Sequence, residues 1–129
     1  MPLSSATKIV LLIAAGSALG GVLRHFVGTW LGDVVHVPWR TFIINVTGSF
    51  VLGLFLHWAE AQPSGHPSLR AFIAIGLCGG YTTFSTFAYE TVVLLETGAW
   101  GRAALYAGGS AVASILAVFG GFLVARGIA

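Results

Sequence analysis

The sequence predicts an all-α membrane protein in which four helices cross the bilayer. Three observations carry that prediction. Of 129 residues, 57% are hydrophobic and only 8% charged, with a mean hydropathy of +0.92; soluble domains carry about 25% charged residues. Four apolar segments, near 9–30, 39–58, 71–95 and 100–124, each hold about 20 residues or more, enough to cross a ~30 Å hydrocarbon core as a helix. All four tryptophans, Trp30, Trp39, Trp58 and Trp100, fall at the ends of these segments, where indole rings favour the headgroup layer. The whole chain, 1–129, reads as a single transmembrane domain.

The first segment begins like a secretory leader, with Lys8 ahead of Ile9 and a leucine-rich run. Apolar sequence then continues to Trp30, too far for a removable h-region. It carries Gly16 and Gly20, a close-approach spacing that is weak by itself. Arg24 lies six residues before Trp30, about 9 Å inward of the interface. There it can snorkel or concentrate anions. Gly32, Asp33 and Pro38 mark the first connection.

The second segment carries Thr41, Asn45 and Ser49 at every fourth position, with Gly48 and Gly53 beside them. This polar, small-residue stripe suits interhelical hydrogen bonding. Asn45 also has amide hydrogens to offer a passing anion. A connection rich in proline and glycine, 62–67, precedes the third segment.

The third segment is the most informative. Where a lipid-facing helix is expected, it reads Gly79-Gly80-Tyr81-Thr82-Thr83-Phe84-Ser85-Thr86-Phe87. Polar, helix-weakening sequence at membrane depth is tolerated only where protein or a watery cavity receives it. Thr82 lies roughly 16 Å along the helix from Ala71, near the midplane. Two adjacent glycines weaken a helix by about 1 kcal/mol each. One reading is a helix broken near the midplane, whose freed carbonyls suit an alkali cation. The other is a continuous helix whose glycines admit a close neighbour. Spacing alone permits both. Phe84 and Phe87 then share a helix face, and their ring edges carry partial positive charge. Thr83, Thr86 and Glu90 form a polar row beside them.

The fourth segment, after Thr97-Gly98, carries Tyr106, Ser110 and Ser114, again every fourth residue. Four helices leave little room for a central pore, so polar stripes on several of them favour a dimer. Lys8, Arg70 and Arg126 lie on one side of the membrane, and Arg24, Arg40 and Arg102 on the other. This three-to-three balance gives the positive-inside rule no preferred orientation, and a dual-topology, antiparallel pair is consistent with it.

Other chemistries are poorly served. The single cysteine, Cys78, has no thiol partner and reads as a small buried residue. His25, His36, His57 and His66 lie near span ends or in connections, without metal-ligand spacing. A net charge of +2 without a basic cluster offers nothing to nucleic acid. There is no nucleophile triad, phosphate loop or paired-carboxylate arrangement for an enzyme.

At these residues the chain resembles the Fluc/CrcB fluoride channels over nearly its whole length. The most specific part is the run from Gly79 to Phe87, followed by Glu90. Gly20-Gly21-Val22-Leu23-Arg24 and Thr41-Phe42-Ile43-Ile44-Asn45-Val46-Thr47-Gly48-Ser49-Phe50 support it. The resemblance implies an antiparallel homodimer in the cell inner membrane, with lipid around it and two fluoride paths. Phe84, Phe87 and Asn45 would line each path, with Thr41, Ser85, Thr86, Tyr106, Ser110 and Ser114 along the polar track. Arg24 would lie near the aqueous entrance. The carbonyls of Gly79 and Thr82 would hold a central, structural sodium ion. Fluoride, trapped inside after hydrogen fluoride crosses the bilayer and ionises, would leave passively down its gradient. The chain departs from the family pattern at Arg40, where a glycine often stands, and at Ala88, where a serine is common. The alternatives are a four-span drug or cation antiporter, for which Glu90 is off-centre and the first segment has no acid, and a membrane scaffold without transport.

Overall fold

The computed structural model describes residues 4–32 and 37–128; Asp33 and His36 lie outside them. Every regular element among the described residues is helical. Helix α1 is Ser5–Leu31 and α2 is Trp39–Glu60. The third span, Pro67–Glu96, divides into α3, residues 67–81, and α4, Phe84–Glu96. Helix α5 is Trp100–Arg126. The four spans are long and apolar enough to cross a membrane.

The ends follow local chemistry. The Ser4 hydroxyl accepts from the Thr7 amide at 3.1 Å and so caps α1. Gly32, at φ 69°, closes it, its N–H bonded to the Thr29 carbonyl. Pro67 opens α3, where its missing N–H costs nothing. Arg70–Cys78 is wound as a π-helix, wider than the α-helix on either side.

Between α3 and α4 the backbone is extended at two residues, Thr82 (φ −77°, ψ 160°) and Thr83 (φ −152°, ψ 112°). The glycines before them, Gly79 and Gly80, are helical. The sequence offers Gly79–Thr82 as the weak stretch; only its last residue leaves the helix, joined by Thr83.

Helix α1 packs against α3, and α2 packs most extensively against α5. Both contacts depend on missing side chains. A Cβ on Gly20 would overlap the Leu77 carbonyl, and one on Gly80 the Ser17 carbonyl. One on Gly53 would overlap the Val118 carbonyl. The buried apolar residues are mostly small, among them Ala59, Ala71, Cys78, Ala103 and Ala125, while Trp30, Leu105, Ile115 and other large side chains face outward. Lipid is as apolar as leucine, so large residues gain little by turning inward, and close backbone packing holds the helices together.

Gly20→Val is expected to destabilise the fold by about 3 kcal/mol through overpacking. Gly21→Val, where nothing stands within 4 Å, should be tolerated. Thermal unfolding of the two variants in the same detergent checks the difference.

Candidate functional site

The extended pair leaves helix hydrogen bonds to be made elsewhere, and α2 supplies the main substitute. The Thr83 N–H donates to Asn45 Oδ1 at 2.8 Å, and Asn45 Nδ2 donates to the Thr83 carbonyl at 3.0 Å. One side chain thus satisfies both main-chain groups of the residue. In an unbroken helix the Thr83 N–H would serve the Gly79 carbonyl. Likewise the Thr86 N–H, which would serve Thr82, donates to Thr83 Oγ1 at 3.2 Å. Thr83 is therefore the N-cap of α4. Its hydroxyl also donates to Thr86 Oγ1 at 3.0 Å and lies 3.3 Å from Ser85 Oγ.

The other side of the interruption is held from α3 and α1. The Thr82 amide and hydroxyl both donate to the Cys78 carbonyl, at 3.0 and 2.9 Å. Arg24 reaches across from α1, and its Nη1 donates to the Thr82 carbonyl at 3.2 Å. Gly48 makes the crossing of α2 sterically acceptable, since a Cβ there would overlap Thr82 Cγ2.

A cavity of about 270 Å³ opens beside the extended pair. It brings together Asn45 and Ser49 from α2, Phe84 and Phe87 from α4, and Ser110 and Ser114 from α5. Ser110 Oγ is buried and makes no hydrogen bond among the described residues. The rings of Phe84 and Phe87 lie 5.5 Å apart, and Phe87 lies 5.4 Å from Tyr106, all tilted near 47°. The aromatic row thus runs from the cavity towards a second cluster. There Glu90 accepts from Thr41 Oγ1 at 2.9 Å and from the Tyr106 hydroxyl at 2.7 Å. Each carboxylate oxygen has its own donor.

The sequence-predicted residues therefore fall into three places. Asn45, Phe84, Phe87, Ser110 and Ser114 share the cavity, with Thr82 at its wall. Thr41 and Tyr106 hold Glu90. Ser85 and Thr86 surround the Thr83 hydroxyl and are exposed, and Arg24 is tied to Thr82. Two contributors were not named as site residues. Thr83 had a readable signal, a hydroxyl residue just ahead of a helical Phe-Ser-Thr-Phe run. Glu90 was noted as an intramembrane acid, but its partners are 49 and 16 residues away and have no local signature. Arg40, one of the departures from the family pattern, donates from Nε to the Gly32 carbonyl at 2.9 Å and so ties the start of α2 to the end of α1.

Among the described residues no group of three or more His, Cys, Asp or Glu side chains could hold a metal. The site offers neutral amides, hydroxyls and ring edges, a lining that can pass or hold a small ion.

Comparison with known proteins identifies the family. The family described as CrcB-like protein, Camphor Resistance (CrcB), matches residues 11–122. The chain belongs to the CrcB family. Its CrcB-family relatives include proteins from Nitrobacter winogradskyi, 44% identical over 91% of this chain and 94% of the relative, and Novosphingobium aromaticivorans, 42% identical over 91% and 95%. Another, from Thermus thermophilus, is 44% identical over 87% of this chain and 89% of the relative. All three bear the name fluoride-specific ion channel FluC; the CrcB family is one of ion channels and not of enzymes. With four spanning helices, the chain is a multi-pass membrane protein, which in bacteria means the plasma membrane.

Asn45→Ala removes both partners of Thr83 and is expected to destabilise the protein by about 2 kcal/mol or more, read as a lower melting temperature in detergent. Tyr106→Phe leaves one Glu90 oxygen without its donor. The expected loss is about 1.5 kcal/mol, and the additional change Thr41→Val should cost less than additively.

Proposed function

We propose that this protein is a fluoride channel that lets cytoplasmic fluoride leave passively down its electrochemical gradient. The observation that carries the reading is a cavity in which an amide, serine hydroxyls and a phenyl pair converge beside two extended residues. The identity of the anion rests on the name borne by relatives up to 44% identical.

The mechanism follows from the lining. A small, strongly hydrated anion gives up water only against substitute donors. The second amide hydrogen of Asn45 and the hydroxyls of Ser49, Ser110 and Ser114 are such donors. Ser110 Oγ, buried without a hydrogen-bond partner among the described residues, has its hydroxyl uncommitted to any of them. The edges of Phe84 and Phe87 add partial positive charge without a full cation, so the ion is attracted but not trapped, as conduction requires. Beyond the rings, the negative charge of Glu90 is bound by two hydroxyl donors, which lessens its repulsion of a passing anion.

The active unit is an antiparallel homodimer with one path on each side of its axis. The balanced arginine and lysine distribution supports insertion in both orientations. Phe84 is 77% exposed in the single chain, which leaves its ring for a second copy to cover. In the dimer the third span is a broken helix near the midplane, and the broken segments of the two copies meet. The residues there fit a structural sodium ion. Gly79 and Thr82 are among the carbonyls that the interruption frees, the amides of Thr83 and Thr86 being bonded elsewhere. Unwound carbonyls are the usual sodium ligands of broken membrane helices, and two from each copy would form the set. The ion would supply positive charge that draws the two breaks together.

The test is flux. Purified protein in liposomes should release fluoride, and not chloride, once a potassium shunt is supplied. Release no faster than from empty liposomes would sink the proposal. Phe84→Ile and Phe87→Ile should each slow release by tenfold or more, about 1.4 kcal/mol in barrier, while the dimer persists on gel filtration.

A further inference from the structure

The Thr82 carbonyl has two claimants. Its helical donor, the Thr86 amide, is bonded elsewhere, and it already accepts the Arg24 guanidinium at 3.2 Å. A carbonyl oxygen has two lone pairs, so geometry alone permits a guanidinium and a metal ion together. Charge does not. Arginine stays protonated in proteins, and a sodium ion on the same oxygen would place two positive charges within a few ångströms in surroundings that screen poorly. The nearest acid of the third span, Glu90, has both oxygens engaged by Thr41 and Tyr106 and cannot serve as the missing counter-charge without giving up those bonds.

We propose that Arg24 is a tethered rival of the sodium ion for the Thr82 carbonyl. Without sodium, the guanidinium satisfies this oxygen and holds the extended pair to α1. With sodium bound, Arg24 lets go and its long side chain extends towards the water interface. Sodium occupancy and the position of Arg24 are then two readouts of one equilibrium. The coupling is reciprocal, because whatever weakens the guanidinium contact strengthens the ion's. The inference rests on the sodium site proposed above and assigns Arg24 a second role besides attracting anions.

The experiment reads sodium binding and not flux. Wild type, Arg24→Gln and Arg24→Lys are purified as dimers in detergent. Melting temperature is followed as sodium chloride replaces N-methylglucamine chloride at constant ionic strength. Gln keeps a neutral donor for Thr82 and loses the charge, whereas Lys keeps the charge. The sodium concentration giving half the stabilisation should fall about tenfold in Arg24→Gln, within the usual range of coupling between two sites, and should stay near the wild-type value in Arg24→Lys. Equal midpoints in wild type and Arg24→Gln overturn the rivalry and leave the sodium site standing. Sodium-independent melting in both overturns the two together. In the wild type, modification of Arg24 by phenylglyoxal, followed by mass spectrometry, should accelerate as sodium is added. An unchanged rate overturns the proposal even if Arg24→Gln does not fold.

Discussion

The paired hydrogen bonds between Asn45 and the main chain of Thr83 are the contact on which the shape of the third span depends. The extended pair takes the Thr83 and Thr86 amides out of the helical pattern, and the Thr83 carbonyl with them, in a region where water is scarce. Each unpaired group there costs free energy comparable to a lost hydrogen bond. Asn45 settles two of these obligations with one planar side chain. The Thr83 hydroxyl settles a third by accepting from Thr86. Gly48, one turn along α2 from Asn45, lets the helices approach closely enough for the amide to reach. The polar stripe of α2 is therefore built around the needs of another helix's backbone, and the cavity lined by Phe84 and Phe87 is the space left beside that arrangement.

The same geometry explains how an acid sits in an apolar span. Glu90 is spaced from the extended pair along α4, and its partners come from the start of α2 and from α5. Tyr106 joins the two regions, touching Phe87 with its ring and Glu90 with its hydroxyl. One side chain thus connects Glu90 to the aromatic row.

Much of this was readable in advance. The spans follow from hydropathy and from tryptophans at the boundaries, because bilayer thickness constrains both. The spacing of Asn45, Ser49, Ser110 and Ser114 marks faces, and the structure brings those faces to one cavity. The position of the extended residues was less accessible. Glycine propensity, about 1 kcal/mol per residue, directs attention to Gly79 and Gly80, yet Gly80 stays helical and serves close contact with Ser17. Tertiary hydrogen bonding to Asn45 outweighs that propensity and moves the irregular backbone to the threonines. Arg24 illustrates a different limit. Its depth could be estimated from Trp30, but whether its side chain turns to water or to a carbonyl depends on which helix lies beside α1. The bonds of Glu90 were out of reach for the same reason, since they join three helices.

The pairing of α2 with α5 has a consequence for how the chain is made. These helices are tightly packed through Gly53 and Gly121, yet the entire third span separates them in sequence. During synthesis, α2 leaves the ribosome well before the surface that covers its glycines exists. It must reside in lipid with a bare groove until the last helix arrives, so the C-terminal span acts as the closing piece of assembly. Truncation there leaves the glycine face of α2 uncovered, although every residue of the cavity contributed by α2 and α4 is still present.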